Sequence, residues 1–557
     1  PEPEQTLNNQ QDQPLSNPSN LSSMEGQDIE DLSSSLGPLQ DFSPARSRSQ
    51  VVWKSSRNVK APGRPPVDDD IDPVAYMGHT ESVYVKTWGC SHNNSDGEYM
   101  AGQLSQAGYT IVDILQQAHI CVLNSCTVKD PSEAVFVNAI NEALSLGIKV
   151  VLAGCVPQAD LSNKLFKDLS IIGVQQIDRV VEVVRHTLQG NVVKLSARSK
   201  SGAKQPSLQL PKIRRNRYIE ILPINSGCLN NCTYCKTVQS RGHLTSYSPS
   251  DIIDRALQAI SEGVKEIWLT SEDLGAYGHD IDTSLSDMLW RLVDLLPKGV
   301  FLRLGMTNPP HILNDLGQIC NLLRHPQVFS FLHIPVQSGS SSVLQAMARD
   351  YVAEDFKTMV DILRSKVPDI HIATDVICGF PGETDEQFDE TLSLIDKYRF
   401  PAVHISQFYA RKGTPAALMT RVPSQVIKAR SRALTSLFMS YRTHDHKLGR
   451  EYNVVCTERA SDKTHLVAHN KSYDQILVPD SVPSLMGKCF RVRITSCDKF
   501  HMMGDVVPGT VSNQLDLSDC TAVPKPSQPY RIHPALAALT LCLLAISIRI
   551  LRLLLNI

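Results

Sequence analysis

Two periodicities alternate along most of this chain, and a third pattern takes over near its end. Residues 82–88 alternate apolar and polar side chains as a half-buried strand does, and the spacing then predicts a helix over 95–107. Strand-like runs follow at 119–124 and 149–153, with helical sequence over 131–146 between them, and a further strand–helix unit spans 170–188. A polar stretch, 191–213, contains Gly202, Pro206 and Pro211 and reads as a linker. Six more strand runs come next, at 218–224, 265–270, 300–305, 329–335, 370–377 and 402–408, each followed by helical sequence. From 451 the pattern shortens to five brief strands, 453–457, 464–468, 475–478, 488–494 and 501–505, with turns between them.

Strand and helix in alternation imply parallel sheets covered by helices, so the fold class is α/β. The expected domains are a parallel-sheet α/β domain over 80–190, a partial (β/α)6 barrel over 214–445 and a small β-barrel over 449–507. In both parallel units, ligand chemistry belongs at the carboxyl ends of the strands. Residues 1–75 are rich in Gln, Asn, Ser, Pro and Asp and too poor in apolar residues to offset the entropy of ordering, so disorder is expected there. A spacer over 508–533 leads to a hydrophobic C-terminal helix over 535–557, interrupted by Thr540, Ser547, Arg549, Arg552 and Asn556. Crossing a bilayer takes roughly 20 apolar residues, a length this segment reaches only with both arginines inside it. It reads as a tail anchor, its rival being an amphipathic helix lying in the interface.

Composition changes this picture little. The chain has 557 residues, 42 % of them hydrophobic, and a net charge of −2, which excludes a strongly basic protein and confines any nucleic-acid contact to local patches. Fourteen cysteines are unevenly spread, unlike a disulfide framework, and no N-terminal signal peptide is read. The expectation is a reducing compartment, with the catalytic domains facing the cytosol.

The candidate chemistry lies in those cysteines. Cys228, Cys232 and Cys235 follow the first barrel strand at C-x3-C-x2-C spacing. Three thiolates can hold three corners of a cubane iron–sulfur cluster, leaving the fourth iron open. The alternatives are a zinc loop, for which His243 is the one candidate fourth ligand nearby, and unrelated core cysteines. Cys90, Cys126 and Cys155 each fall just beyond a strand end of the first domain, so they should converge on one rim. Cys121 lies within its strand and reads as a small core residue, as do Cys320 and Cys378.

The C-x3-C-x2-C loop resembles that of radical S-adenosylmethionine (SAM) enzymes. Trp88-Gly89-Cys90-Ser91-His92-Asn93-Asn94-Ser95-Asp96-Gly97-Glu98, Asn124-Ser125-Cys126-Thr127-Val128-Lys129 and Ala153-Gly154-Cys155 resemble the N-terminal domain of methylthiotransferases. The likeness extends over about residues 80–510 and is nearest to the eukaryotic tRNA-modifying branch, with its TRAM RNA-binding domain at the carboxyl side. It implies two [4Fe-4S] clusters, one on each cysteine trio, with SAM bound at the cluster on Cys228, Cys232 and Cys235. The other cluster would carry the sulfur to be transferred. It further implies that Glu272 and Asp273 bind the SAM amino group and that Gly379, opening Gly379-Phe380-Pro381-Gly382-Glu383, lies near its adenine. Gln337, Ser338 and Asp375, polar at strand ends, complete that set, while His333 is either a hydrogen-bonded barrel histidine or a substrate contact.

The implied substrate is N6-threonylcarbamoyladenosine beside the anticodon of a tRNA, methylthiolated at C2. The implied partners are an electron donor and, through the tail, the endoplasmic reticulum membrane, with no DNA. Lys212, Arg214, Arg215 and Arg217, and in the small barrel Lys463, Lys471, Lys488, Arg491, Arg493 and Lys499, are candidate RNA contacts, although a solvated surface would carry such residues too. Residue patterns alone leave open an isopentenyladenosine or protein substrate, and a membrane-tethered iron–sulfur regulator without catalysis.

Overall fold

The computed structural model describes residues 80–127, 130–196, 205–480, 484–514 and 517. The expected disordered segment 1–75 and the apolar tail 535–557 lie outside them. Among the described residues no helix is long and apolar enough to cross a membrane.

The first domain runs β1 (Ser82–Thr87), α1 (Ser91–Gln106), β2 (Thr110–Val112), β3 (Ile120–Ser125), α2 (Asp130–Ser145), β4 (Lys149–Gly154), α3 (Cys155–Ala159), β5 (Ser170–Ile172), α4 (Val180–Leu188) and β6 (Lys194–Leu195). Its six strands form one sheet in the order β2-β1-β3-β4-β5-β6, and every pairing is parallel. Alternate residues of β3 feed two cores. Val122 packs with Val83, Leu104 and Val151 on one face, and Cys121 and Leu123 pack with Phe136, Leu152 and Phe166 on the other. The two edge strands, three and two residues long, are too short to leave a periodic trace in the sequence.

The second domain supplies β7 (Ile219–Pro223), β8 (Asn225–Ser226), α5 (Thr237–Arg241), β9 (Thr245–Ser246), α6 (Pro249–Ser261), β10 (Glu266–Thr270), α7 (Leu285–Val293), β11 (Phe301–Arg303), α8 (Pro309–Ile312), α9 (Leu316–Arg324), β12 (Phe331–His333), α10 (Ser341–Ala346), α11 (Ala353–Lys366), β13 (His371–Cys378), α12 (Asp385–Tyr398), β14 (Ala402–Gln407) and α13 (Ser424–Ser440). Two parallel three-stranded sheets, β11-β10-β7 and β12-β13-β14, are joined by bridges from Leu302 to Val328 and from Met306 to His333. The six predicted strands therefore make a continuous open barrel. Its helices follow simple local rules. In α12, for example, Thr384 accepts from the Gln387 amide while the Gln387 side chain accepts from Thr384 N, a reciprocal cap that fixes the turn after Gly382.

The third domain is a closed five-stranded barrel, β15 (Glu451–Arg459), β16 (His465–His469), β17 (Gln475–Pro479), β18 (Cys489–Cys497) and β19 (Met502–Val506), in the order β15-β16-β17-β19-β18. It closes the amino end of the open barrel. Tyr473, on the turn between β16 and β17, packs its ring against Trp268, Phe329 and Phe331. His469 pairs with Glu266 at 3.1 Å with neither side chain exposed. With one end of the barrel filled this way, its open mouth is the carboxyl end, where the candidate chemistry lies.

The first domain meets the barrel through α1, and that contact is polar. Residues Ser91 to Leu104 are all buried although the run begins Ser-His-Asn-Asn-Ser-Asp-Gly-Glu. Buried polar groups need partners, and the barrel side provides them. Ser95 Oγ donates to the Ile221 carbonyl at 2.9 Å, and Arg215 N donates to Glu98 at 2.9 Å. The predicted helix start at 95 was late for this reason: an isolated sequence reads these residues as loop, and the interface makes them helix. The expected linker is likewise packed in part, with Leu208 in the barrel core and the Tyr99 hydroxyl donating to its carbonyl.

Candidate active site

β1, β3 and β4 are adjacent parallel strands, and Cys90, Cys126 and Cys155 stand just past their carboxyl ends. The three thiols converge as the sequence predicts: Cys126 lies within hydrogen-bonding reach of both Cys155 and Cys90. Gly89 has φ +108°, and a Cβ there would overlap Cys126, so the approach of Cys90 to Cys126 needs a glycine. Hydrogen bonds with Cys155 and Cys90 push the Cys126 thiol up. Cys155 is brought down to about 6, chiefly by its hydrogen bond with Cys126, with Arg241 adding a favourable charge.

Cys228, Cys232 and Cys235 lie on the loop after β7 and β8. Each sulfur accepts an N–H. Asn230 N reaches Cys228 Sγ at 3.4 Å, Thr237 N reaches Cys235 Sγ at 3.4 Å, and an Arg349 guanidinium nitrogen reaches Cys232 Sγ at 3.2 Å. Burial holds the Cys228 thiol up at about 12, so a metal binding here must displace protons. All six cysteines are free thiols. An all-sulfur set of three, with N–H groups directed at each sulfur, fits an iron–sulfur cluster bound through three irons. The backbone carbonyl of His243, the one candidate fourth ligand for zinc, lies against Gly227.

The trios sit on facing elements, since α3, which begins at Cys155, packs against α5, which follows Cys235. Arg241, the last residue of α5, binds both sides. Its guanidinium donates to Asn93 Oδ1 at 2.6 Å and Asp96 Oδ2 at 2.7 Å, and its Nε lies 3.0 Å from Glu272 Oε1. Asn93 Oδ1 in turn accepts from the Cys155 thiol at 3.7 Å. Glu272 Oε1 lies 2.8 Å from His92 Nδ1, and its second oxygen accepts from Gly227 N at 3.0 Å. One buried network thus runs from the sheet trio to the amide before Cys228. Arg241, His92, Asn93 and Arg349 escaped the sequence reading. The polar run after Cys90 was a signal for two of them, whereas single arginines in loops carry none.

Glu272, expected at the SAM amino group, therefore has its carboxylate among His92, Arg241 and Gly227. Asp273 is fully buried, its oxygens accepting from Gly275 N at 3.1 Å, Asn308 N at 3.0 Å and Asn308 Nδ2 at 2.8 Å, and burial pushes its carboxyl up. Asn308 also accepts from Arg349, so Asp273 is linked to Cys232 through two side chains. Gln337 adopts φ +66°, uncommon for a non-glycine residue, on the rim beside β13. Ser338 is buried, and its Oγ lies 3.3 Å from Thr391 Oγ1. Asp375 accepts or shares a proton with His333 Nε2 at 2.7 Å, and His404 stands beside them. His333 is thus hydrogen-bonded at the barrel mouth. Gly379 N donates to Glu383 at 2.8 Å, and Arg430 donates to the same carboxylate.

Several candidate RNA contacts are overturned. Lys212 is buried, with its ammonium 3.2 Å from Glu98 and 3.0 Å from Glu220, and Arg214 pairs with Glu220 and Glu262. Between them they neutralise the buried carboxylates of Glu98 and Glu220 and the exposed one of Glu262. Lys471 donates to the Leu323, His325 and Val328 carbonyls, and Lys499 to those of Phe438 and Tyr441, so both tie the small barrel to the large one. Arg215 and Arg217 line a cleft of about 450 Å³ together with Arg459 of the small barrel.

Residues 82–173 match the model of a family described as uncharacterized protein family UPF0004, and residues 222–395 match that of the radical SAM superfamily. The chain is 52 % identical over 482 residues to the threonylcarbamoyladenosine tRNA methylthiotransferase of Danio rerio, an alignment covering 86 % of each chain. It is 53 % identical over 446 residues to the Homo sapiens protein of that name, covering 80 % of this chain and 76 % of the other. A Pyrococcus horikoshii protein, described as a probable enzyme of the same name, is 36 % identical over 428 residues, 76 % of this chain and 99 % of its own. The facing cysteine trios thus stand in a chain that belongs to the threonylcarbamoyladenosine tRNA methylthiotransferase family.

Proposed function

We propose that this protein converts N6-threonylcarbamoyladenosine beside the anticodon of a tRNA to its 2-methylthio derivative. The observation that carries the reading is the pair of three-thiol sets at the carboxyl rims of two parallel sheets, with α3 packed on α5 between them. Replacing hydrogen on an aromatic carbon by sulfur defeats simple acid–base catalysis, because no side chain usefully removes that proton. When bound, two [4Fe-4S] clusters and SAM supply a one-electron cleavage that generates a carbon radical and a source of sulfur.

The chain's own residues do the rest. Cys228, Cys232 and Cys235 would hold one cluster through three of its irons, and the N–H groups of Asn230, Thr237 and Arg349 would stabilise the negative sulfurs. Cys90, Cys126 and Cys155 hold the other. Gln337, Asp375 and Gly379, with Glu272 behind Gly227, Asp273 behind Asn308 and Ser338 behind Gln337, would form the rim for SAM. The Arg241 network keeps the two sets in one register. An exposed anticodon-loop base can enter such a site without melting a helix. Arg215, Arg217 and Arg459, drawn from the interdomain segment and the small barrel, suit phosphates of the same RNA.

An external electron donor completes the reaction. The segment 535–557 anchors the enzyme to the endoplasmic reticulum, with its catalytic domains toward the cytosol. What supports the anchor is the run from Ala535 to Ile548, which carries no charge. Deleting 535–557 should release the protein from the membrane fraction; retention there would discard the anchor. For the activity, nucleosides of tRNA from cells lacking the protein should show loss of the 2-methylthio derivative and accumulation of its precursor by mass spectrometry. Undiminished derivative would overturn the substrate.

A further inference from the structure

Beside the sheet trio opens a cleft of about 600 Å³, a size suited to a modified base. Cys126 of the sheet trio lines one side. The other side is formed by Lys236, next in sequence to Cys235, and by the 409–412 segment, where Arg411 donates to the Tyr234 carbonyl at 3.0 Å. The cleft thus adjoins Cys126 of one set and the residue that follows Cys235 of the other. Its charge is one-sided: Lys164, Lys236, Arg411 and Lys412 face the single carboxylate of Asp160. Lys412 Nζ is 3.7 Å from Asp160 Oδ2. Asp160 is held below the usual carboxylate range, first by the Ser162 hydroxyl and then by the charges of Lys412 and Lys236.

The substrate drawn above carries an anion that an unmodified or prenylated adenine lacks, the carboxylate of its threonyl group. We propose that Lys236 and Lys412 bind this carboxylate and so select the threonylcarbamoyl base over other adenines. The assignment rests on the substrate named in the preceding subsection. Charge-assisted hydrogen bonds to a carboxylate are strong enough to discriminate when one competitor has no charge to offer. A hydrocarbon modification would leave the two lysines facing Asp160 alone, with no gain on binding. The same cations could instead hold a backbone phosphate, which every RNA possesses, and the two sources separate cleanly in experiment.

The test uses the full chain, reconstituted anaerobically, and two anticodon stem–loops that differ only in whether the adenine carries threonylcarbamoyl or is unmodified. Dissociation constants are measured for the wild type, for K412A, whose side chain is exposed and whose loss leaves the fold intact, and for K236A/K412A. The wild type should favour the modified RNA by about tenfold or more, and the double variant should lose that preference while binding unmodified RNA within about twofold of wild type. K412A should fall between. Equal losses on both RNAs would assign the lysines to phosphate, and unchanged preference would remove them from recognition; either result overturns the proposal. Methylthiolation of the modified RNA by the wild type is measured in parallel. Its absence would refute the substrate, whereas its presence with undiminished preference in the double variant would refute the lysines alone.

Discussion

The two cysteine sets present the same three sulfurs to a ligand and are built on opposite principles. Cys228, Cys232 and Cys235 are positioned by a short loop whose constraints are mostly local: Gly227 at φ +81°, an amide two residues beyond Cys228, and another two residues beyond Cys235, with Arg349 at Cys232 and Glu272 at Gly227 as the remote partners. Cys90, Cys126 and Cys155 come from three strands that meet only after the sheet has formed. Even then, the helix following Cys90 is held from the far side by Arg241 and by the Ile221 carbonyl, to which Ser95 donates. A local site tolerates distant change, whereas a site made by topology inherits every weakness of the interface behind it.

Cysteine replacement separates them most sharply. Changing Cys90, Cys126 and Cys155 together to Ala should lower iron from about eight atoms to about four per chain, abolish methylthiolation and leave reductive cleavage of SAM to 5′-deoxyadenosine in place. The same change at Cys228, Cys232 and Cys235 should abolish both activities. Iron analysis and product assays check this, and loss of SAM cleavage in the first variant would mean that the two sets do not act separately.

Arg241→Met should come next. It leaves Asp96 and Glu272 buried without their cation, and breaking a buried pair typically costs roughly 3–5 kcal/mol. Denaturant unfolding measures that cost. The asymmetry predicts more: the electron paramagnetic resonance signal of the cluster on the sheet should change, while that of the loop cluster persists. Methylthio product per 5′-deoxyadenosine should fall about tenfold or more, with partial rescue in Arg241→Lys. An identical change in both signals would put the network behind both sets alike.

A smaller effect belongs to the closed end of the barrel. Burial opposes the charge on His469, but Glu266 at 3.1 Å outweighs it and keeps the imidazolium above the ordinary histidine range. The stabilisation is then complete below about pH 6.5 and is lost as pH rises through the raised pKa. Glu266, held down by His469 against its own burial, makes its contribution above the ordinary glutamate range and loses it as pH falls through the depressed pKa. Melting temperature measured from neutral to alkaline pH should decline a few degrees more steeply in the wild type than in His469→Gln, whose decline lacks this titration. Parallel curves would remove the pair from the junction's stability.

These contrasts also explain what the sequence could reveal. All six barrel strands and the five of the small barrel were legible; β11 and β12 have only three residues each, but the strand-like runs around them, 300–305 and 329–335, are longer. The loop trio was legible from spacing, and the sheet trio from each cysteine's place after a strand. Partner choice was not. Glu272, Asp273 and Ser338 announce polarity at strand ends, yet their partners His92, Arg241, Asn308 and Thr391 come from other elements. Lys212 and Lys471 read as surface cations for the same reason: the carboxylates and carbonyls that capture them are remote in sequence.

Cys121 offers the finest test of the difference between a thiol that faces a rim and one that does not. It lies in the same strand as the residue before Cys126, yet its side chain enters the core with Leu123 and Phe136. Burial pushes its thiol up to about 12, while Cys155, the first residue past β4, is brought down to about 6 by its hydrogen bond with Cys126. Position along the strand decides which thiol meets the cleft: β3 runs from Ile120 to Ser125, so Cys121 is covered by sheet and helix, and Cys126, just past the strand end, lines the cleft. Cys121→Ala should therefore cost about 1 kcal/mol through lost packing, with iron content and both activities at wild-type levels. A loss of iron in this variant would make the strand interior part of the metal site and undo the distinction between rim and core on which the sheet trio stands.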